Sequence, residues 1–201
     1  MSPRARRGSS AGVLWTLVLL AAVAIVSYRL GREGWQPPVL APTPSAPVPT
    51  TLGAWDVRFS PMGGATALVV DAIQHAQRTV SVQAYSFTSA PIAQALVDAG
   101  HRGVRVEVIL DKSQRTERYS EADFLAHAGI PVTIDAAHAI AHNKVMVIDD
   151  DTVITGSFNF TKAAEQHNAE NILVIHDAAM AGRYRANWDA HRRHAEPYAA
   201  R

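Results

Sequence analysis

From Trp55 onward the sequence keeps switching between two hydrophobic periods, and that alternation restricts the folds open to it. The runs Thr79–Ala84 and Val104–Leu110 (V-R-V-E-V-I-L) read as strands. Between them Pro91–Ala99 has helical spacing, with Pro91 in its first turn and Gly100 at its end. Asp56–Ser60 alternates as a strand, and Ala65–Gln77 puts Leu68, Val69, Ala72, Ile73 and Ala76 at helical spacing. Asp111–Arg118 reads as a polar loop, and Glu121–Ala128 as a helix stopped at Gly129-Ile130-Pro131. Val132–Ile134 is a short strand and Glu170–Ile175 another. Ala178–His194 is a terminal helix with Tyr184 and Trp188 on one side. Strands alternating with helices predict a layered α/β domain on a mixed sheet.

A different kind of chain precedes this domain. Arg4, Arg6 and Arg7 lead into the apolar run Ala11–Tyr28, close to the roughly 18-residue lower bound for crossing a bilayer. A basic head and a proline-rich exit bracket the run, which argues against a buried core helix. Ala22-Val23-Ala24 has the small-x-small form of a signal cleavage site, but Ile25 and Val26 continue the apolar run beyond it. An uncleaved transmembrane anchor is therefore the better reading, and a cleaved secretory signal the alternative. Positive charge is denser before the run, which keeps the N-terminus cytoplasmic and sends the domain across the membrane. Gln36–Thr51 carries Pro37, Pro38, Pro42, Pro44, Pro47 and Pro49 among small residues. It reads as an extended spacer rising ~3.1 Å per residue. The expected organisation is a basic cytoplasmic segment over 1–10, an anchor or signal over 11–28, a linker over 29–52 and a folded domain over 53–201.

Charge is distributed unevenly. Arg4, Arg6, Arg7, Arg29 and Arg32 face one acid, Glu33, in the first fifty residues, which leaves 14 basic and 17 acidic residues in 51–201. A domain of that balance has no global attraction for nucleic acid, so any phosphate-tracking groove has to come from local placement of arginines. The chain has no cysteine, which excludes disulfides, thiolate nucleophiles and cysteine-ligated zinc.

The chemistry concentrates in Ile140–Thr161, I-A-H-N-K-V-M-V-I-D-D-D-T-V-I-T-G-S-F-N-F-T. Val145–Ile148 and Thr152–Thr155 flank the turn-prone Asp149–Asp151, a strand–turn–strand pattern followed by a loop. His142 and Lys144 share one face of an extended chain, and Ser157 and Asn159 have the same two-residue offset. Imidazole, ammonium, carboxamide and hydroxyl converging on one spot would receive a phosphate without needing a metal. Asp149, at an odd offset from Lys144, is expected to fix a turn or support the site from behind rather than touch substrate. Each residue alone also has a bland reading. His142 and Lys144 would be surface groups, Ser157 a turn residue and Asn159 a loop cap. His138, His167 and His176 lack matching partners in the sequence and read as structural or surface groups. Arg183, Arg185, Arg192 and Arg193 read as a solvated helix face.

His142-x-Lys144 followed by four residues and Asp149 resembles the HKD signature of the phospholipase D superfamily. Gly156-Ser157-x-Asn159-x-Thr161 resembles the element that follows it there. Tyr85–Thr88 and Ser157–Glu165 look closest to the small bacterial Nuc-type endonucleases. The resemblance implies an α/β/α sandwich around a mixed, mostly parallel sheet, and a phosphodiesterase with no cofactor and no metal in its site. His142 would be the nucleophile that forms a phosphohistidine. Lys144 and Asn159 would hold the phosphoryl oxygens, with Ser157 assisting. Glu170 would take the place of the carboxylate that orients the histidine, while Asp149 and Thr161 would be supporting residues.

One imidazole cannot attack phosphorus while protonating the leaving oxygen. There is a single H-x-K-x4-D here, and short members of the superfamily pair two identical chains. The resemblance therefore implies a homodimer sharing one site across its two-fold axis. The expected substrate is DNA or RNA. The alternatives are phospholipid head groups and a non-catalytic phosphate-binding module. The expected location is the inner membrane, through the N-terminal helix, with the domain in the periplasm or outside the cell, or secreted if the leader is cleaved.

Overall fold

The computed structural model describes residues 55–201. Their centre is an eight-stranded sheet of order β1-β7-β6-β5-β2-β3-β4-β8. The chain enters through β1 (Trp55–Phe59), α1 (Ala65–His75), β2 (Thr79–Ala84) and α2 (Ala90–His101). It continues through β3 (Arg105–Asp111), a 3-10 turn (Lys112–Arg115), α3 (Ala122–His127) and β4 (Val132–Asp135). Next come β5 (Lys144–Ile148), β6 (Thr152–Gly156), α4 (Lys162–Gln166) and β7 (Asn171–His176), and the chain ends with α5 (Ala178–His194) and β8 (Glu196–Pro197).

The sheet is mixed, as expected, but not mostly parallel. Only β2–β3 and β3–β4 run parallel, while β1–β7, β7–β6, β6–β5, β5–β2 and β4–β8 are antiparallel. The connections explain the correction. A parallel neighbour needs a crossover, and only α2 and α3 supply one between sequential neighbours in the sheet. The acidic turn between β5 and β6 makes a hairpin, so Met146 pairs with Ile154 and Ile148 with Thr152. The link from β6 to β7 holds only the short α4, and the two strands return antiparallel.

Strand alternation divides the apolar side chains between two faces. Val80, Val82, Ala84, Val106, Val108, Met146 and Ile148 join α1, α2 and α3 in the main core. Val145, Val147 and Val153 point to the other face, against Ala181 and Tyr184 of α5. Trp188, buried on α5, donates its Nε1–H to the Val82 carbonyl at 3.0 Å. Arg185 spans the same face, reaching Ser81 Oγ at 2.8 Å and Asp189 at 3.1 Å. This is the expected three-layer arrangement, with one long helix covering the second face. Among the described residues no helix is long and apolar enough to cross a membrane. The anchor expected over 11–28 and the linker over 29–52 lie outside them.

Candidate active site

Antiparallel pairing brings the end of β2 beside the start of β5, with Ala84 opposite Lys144. The same rule brings the end of β6 beside the start of β7, with Gly156 opposite Ile172. At this end of the sheet a pocket is lined by His142, Lys144, Gly156, Ser157, Asn159 and Glu170. Residues 158–160 are placed by their alternation. Phe158 and Phe160 are fully buried, so Ser157 and Asn159 turn the other way. Phe160 is anchored by a bridge to Phe87 and by the Thr88 N–H on its carbonyl at 2.9 Å. Gly156 is required by a close approach. A Cβ there would stand 2.2 Å from the Asn171 carbonyl oxygen, which itself accepts the Ser157 and Phe158 N–H groups at 3.1 Å.

The side chains in the pocket differ in exposure. His142 is exposed, whereas Lys144 is buried, with only 6% of its surface exposed. Burial pushes the Lys144 ammonium below its usual range, and the Glu170 carboxylate partly offsets this by favouring the charge. Lys144 Nζ donates to the His142 carbonyl at 3.2 Å and sits 5.2 Å from the centre of the Tyr85 ring. Tyr85 also meets the His142 ring edge-on at 4.6 Å, and its N–H bonds the Asn143 carbonyl at 2.8 Å. Ser157 Oγ accepts from the Asn171 N–H at 3.1 Å, which leaves its own hydrogen free to donate. Asn159 Oδ1 is buried with no partner among the described residues. An unpaired amide oxygen on a residue lining a pocket has hydrogen-bonding capacity for a ligand.

The remaining expected residues stand elsewhere or make other bonds. Glu170 lines the pocket, but its hydrogen bond is with Asn168 Nδ2 at 3.1 Å and not with His142. Thr161 caps α4 by accepting from the Ala164 N–H at 3.0 Å. Asp149 is outside the pocket, where its carboxylate accepts the N–H groups of Gln77, Arg78 and Thr79 at 2.7, 2.7 and 2.9 Å. It ties the β5–β6 hairpin to the α1–β2 turn. Tyr85 is the residue for which the sequence offered no role. Its signals were its place directly after a strand and the likeness of Tyr85–Thr88 to the Nuc-type endonucleases.

His138 and His176 are not partnerless. His176 Nδ1 lies 2.9 Å from Thr152 Oγ1, and His138 packs against Asp135, His191 and His194. Those partners come mostly from the far end of the chain, which is why spacing around His138 gave no hint of them.

Fold and pocket together define a class. Residues 69–192 match the family described as cardiolipin synthase, PLD-like domain, and the chain belongs to this family within the phospholipase D superfamily of phosphodiester hydrolases. Among particular relatives, a phospholipase D of Rickettsia bellii is 45% identical over 130 residues, covering 65% of this chain and 65% of that protein. The match thus spans just under two thirds of the relative's length. A mitochondrial cardiolipin hydrolase of Xenopus laevis is 34% identical over 154 residues, 76% of this chain and 68% of that protein. Among solved structures, the phospholipase D family member Nuc from Salmonella typhimurium superposes with a TM-score of 0.70 at 40% identity. That match covers 73% of this chain and 98% of Nuc.

Proposed function

We propose that the chain is a phosphodiesterase whose pocket cleaves the phosphodiester bonds of nucleic acid with little sequence preference. The observation that carries this reading is the convergence of His142, Lys144, Ser157, Asn159 and Glu170 on one pocket. His142 attacks phosphorus, Lys144 and Asn159 hold the developing charge on the non-bridging oxygens, and Ser157 donates its free hydrogen. As the bond from phosphorus to the leaving oxygen breaks, a second imidazole protonates that oxygen, and water then hydrolyses the phosphohistidine. Glu170 steadies the ammonium of Lys144 and lines the same pocket as the His142 imidazole, which it receives once substrate orders it. The likeness to Nuc over nearly that whole chain supports nucleic acid as substrate.

The pocket of one chain holds one imidazole, and the second comes from a twin subunit across a two-fold axis. Ile140, Met62 and Phe59 support this reading, because all three are exposed large apolar groups, Ile140 two residues before His142 and the other two on the segment whose Ser60 N–H bonds the Glu170 carbonyl. The N-terminal run anchors the protein in the inner membrane, and the proline-rich linker holds the domain on the far side. Phospholipid is the second reading, favoured by relatives named phospholipase D and mitochondrial cardiolipin hydrolase.

The test is one preparation of the full chain assayed on plasmid and on cardiolipin or phosphatidylcholine vesicles in the presence of chelator. Plasmid nicking that is lost in His142→Ala supports the nuclease reading, and phosphatidic acid release without nicking selects the lipid one. Mixed dimers of wild type and His142→Ala should fall well below half activity. A clean half would refute the shared site.

A further inference from the structure

Four side chains outside the pocket converge where β4 and α5 end. Asp135 closes β4 with its carboxylate fully buried. Its Oδ1 accepts the Ala137 N–H at 3.1 Å. Its Oδ2 faces three imidazole nitrogens, His191 Nδ1 at 2.6 Å, His138 Nδ1 at 3.0 Å and His194 Nε2 at 3.3 Å. One carboxylate oxygen offers about two lone pairs. His138 Nδ1 also lies 3.1 Å from Oδ1, so three imidazoles each turn a nitrogen to one buried carboxylate, a convergence of four metal-ligating groups. The spacing is regular too. His191 and His194 are neighbours one turn apart on α5, and Asp135 and His138 have the same offset across the loop leaving β4.

We propose that Asp135, His138, His191 and His194 bind a divalent transition metal, with zinc the ion their chemistry selects. Three imidazoles and one carboxylate form a nitrogen-rich set suited to a borderline ion, whereas calcium and magnesium call for oxygen. Zinc–nitrogen bonds of ~2.0–2.1 Å give tetrahedral ligand–ligand edges of about 3.3 Å. One ligating atom from each residue already lies within 4.8 Å of the others, so small side-chain rotations close the shell. Four protein ligands leave no open position, which makes the site structural.

Its place in the sheet gives it something to hold. Because β2, β3 and β4 run parallel, Asp135 ends at the same edge of the sheet as Ala84 beside the pocket. The segment 136–143 crosses that edge from the cluster to His142. On the way it is fastened by Lys112 Nζ on the His138 carbonyl at 2.9 Å and by Asp111 Oδ2 on the Ala141 N–H at 2.7 Å. A metal at the cluster secures the start of this segment and pins the last turn of α5 to β4. It would act on the position of His142 through the loop.

The test uses the untagged full chain in mild detergent. Metal content, cobalt substitution and thermal melting need no substrate, so their outcome is separate from the fate of the phosphodiesterase reading. The wild type should bind about one zinc per chain and melt about 5 °C or more higher with zinc in excess. With cobalt it should show the visible absorption of tetrahedral coordination. His191→Ala/His194→Ala should lose all three responses, and His138→Ala, altered at a half-exposed loop ligand, should weaken binding at least tenfold while folding normally. A wild type without cobalt bands or a zinc-dependent melt would overturn the proposal. So would equal metal binding by the double variant.

Discussion

Asp149 offers a demanding test of how the fold is tied together, because one carboxylate closes two turns distant in sequence. Its Oδ1 accepts from Arg78 and Thr79 and its Oδ2 from Gln77, while Arg78 also reaches its carbonyl. Asp149→Asn is the informative change. Residue 149 has φ of 52°, a left-handed conformation that asparagine tolerates better than alanine, so backbone strain does not confound it. The amide keeps one acceptor for Arg78 and Thr79 at neutral strength, and turns an NH2 toward the Gln77 N–H. Charge-assisted bonds contribute about 1.5–3 kcal/mol and neutral ones about 0.5–1.5. Two weakened bonds and one lost, in a half-exposed setting, should cost about 2 kcal/mol. With a urea slope of about 1–3 kcal/mol per molar, the unfolding midpoint should fall by about 1 M at fixed protein concentration, followed by circular dichroism.

The pH dependence sharpens the same prediction. Burial opposes the Asp149 charge, but the hydrogen bonds from Thr79, Gln77 and Arg78, with the Arg78 guanidinium, outweigh it and hold the carboxyl below its ordinary value of 3.8. A depressed folded value means the carboxylate's stabilisation is complete above that ordinary value. It is lost as pH falls through the folded one. The gap between wild type and Asp149→Asn should therefore be full at pH 7 and shrink as pH drops below 3.8. A gap that is absent at neutral pH, or that stays constant into strong acid, would refute the account.

Two further outcomes follow from the pocket. Glu170→Gln removes the carboxylate that offsets the burial of Lys144, so the alkaline limb of the kcat/KM profile on a chromogenic phosphodiester should move to lower pH. An unmoved limb would separate Glu170 from the ammonium. Gly156→Ala pushes a methyl group against the Asn171 backbone, which must yield. It should cost about 1–3 kcal/mol in thermal unfolding and reduce kcat by displacing Ser157 and Asn159, and an unchanged melt would contradict the close approach.

Much of this architecture was legible in the residues. Thr79–Ala84 and Ala178–His194 have their expected limits, because periodicity and flanking turn residues agree there. The expected Asp111–Arg118 loop holds a 3-10 turn that Asp111 caps through the Ser113 N–H, a local bond with no hydrophobic period to announce it. Strand direction is not legible in the strands themselves, because it depends on what each connection can span. His142, Lys144, Ser157 and Asn159 could be grouped because they lie close in sequence on alternating backbone. Asp135 and His138 could not be joined to His191 and His194, since the contact depends on where α5 ends over the sheet. The H-x-x-H on a helical stretch was the visible sign.

The Gly156–Asn171 approach also limits how this pocket can be reshaped. Its wall at that point is main chain against main chain, so selection or design has no side chain there to enlarge, shrink or recharge. Variation in what the pocket admits is therefore left to the flanking segments, and above all to the one that carries His142.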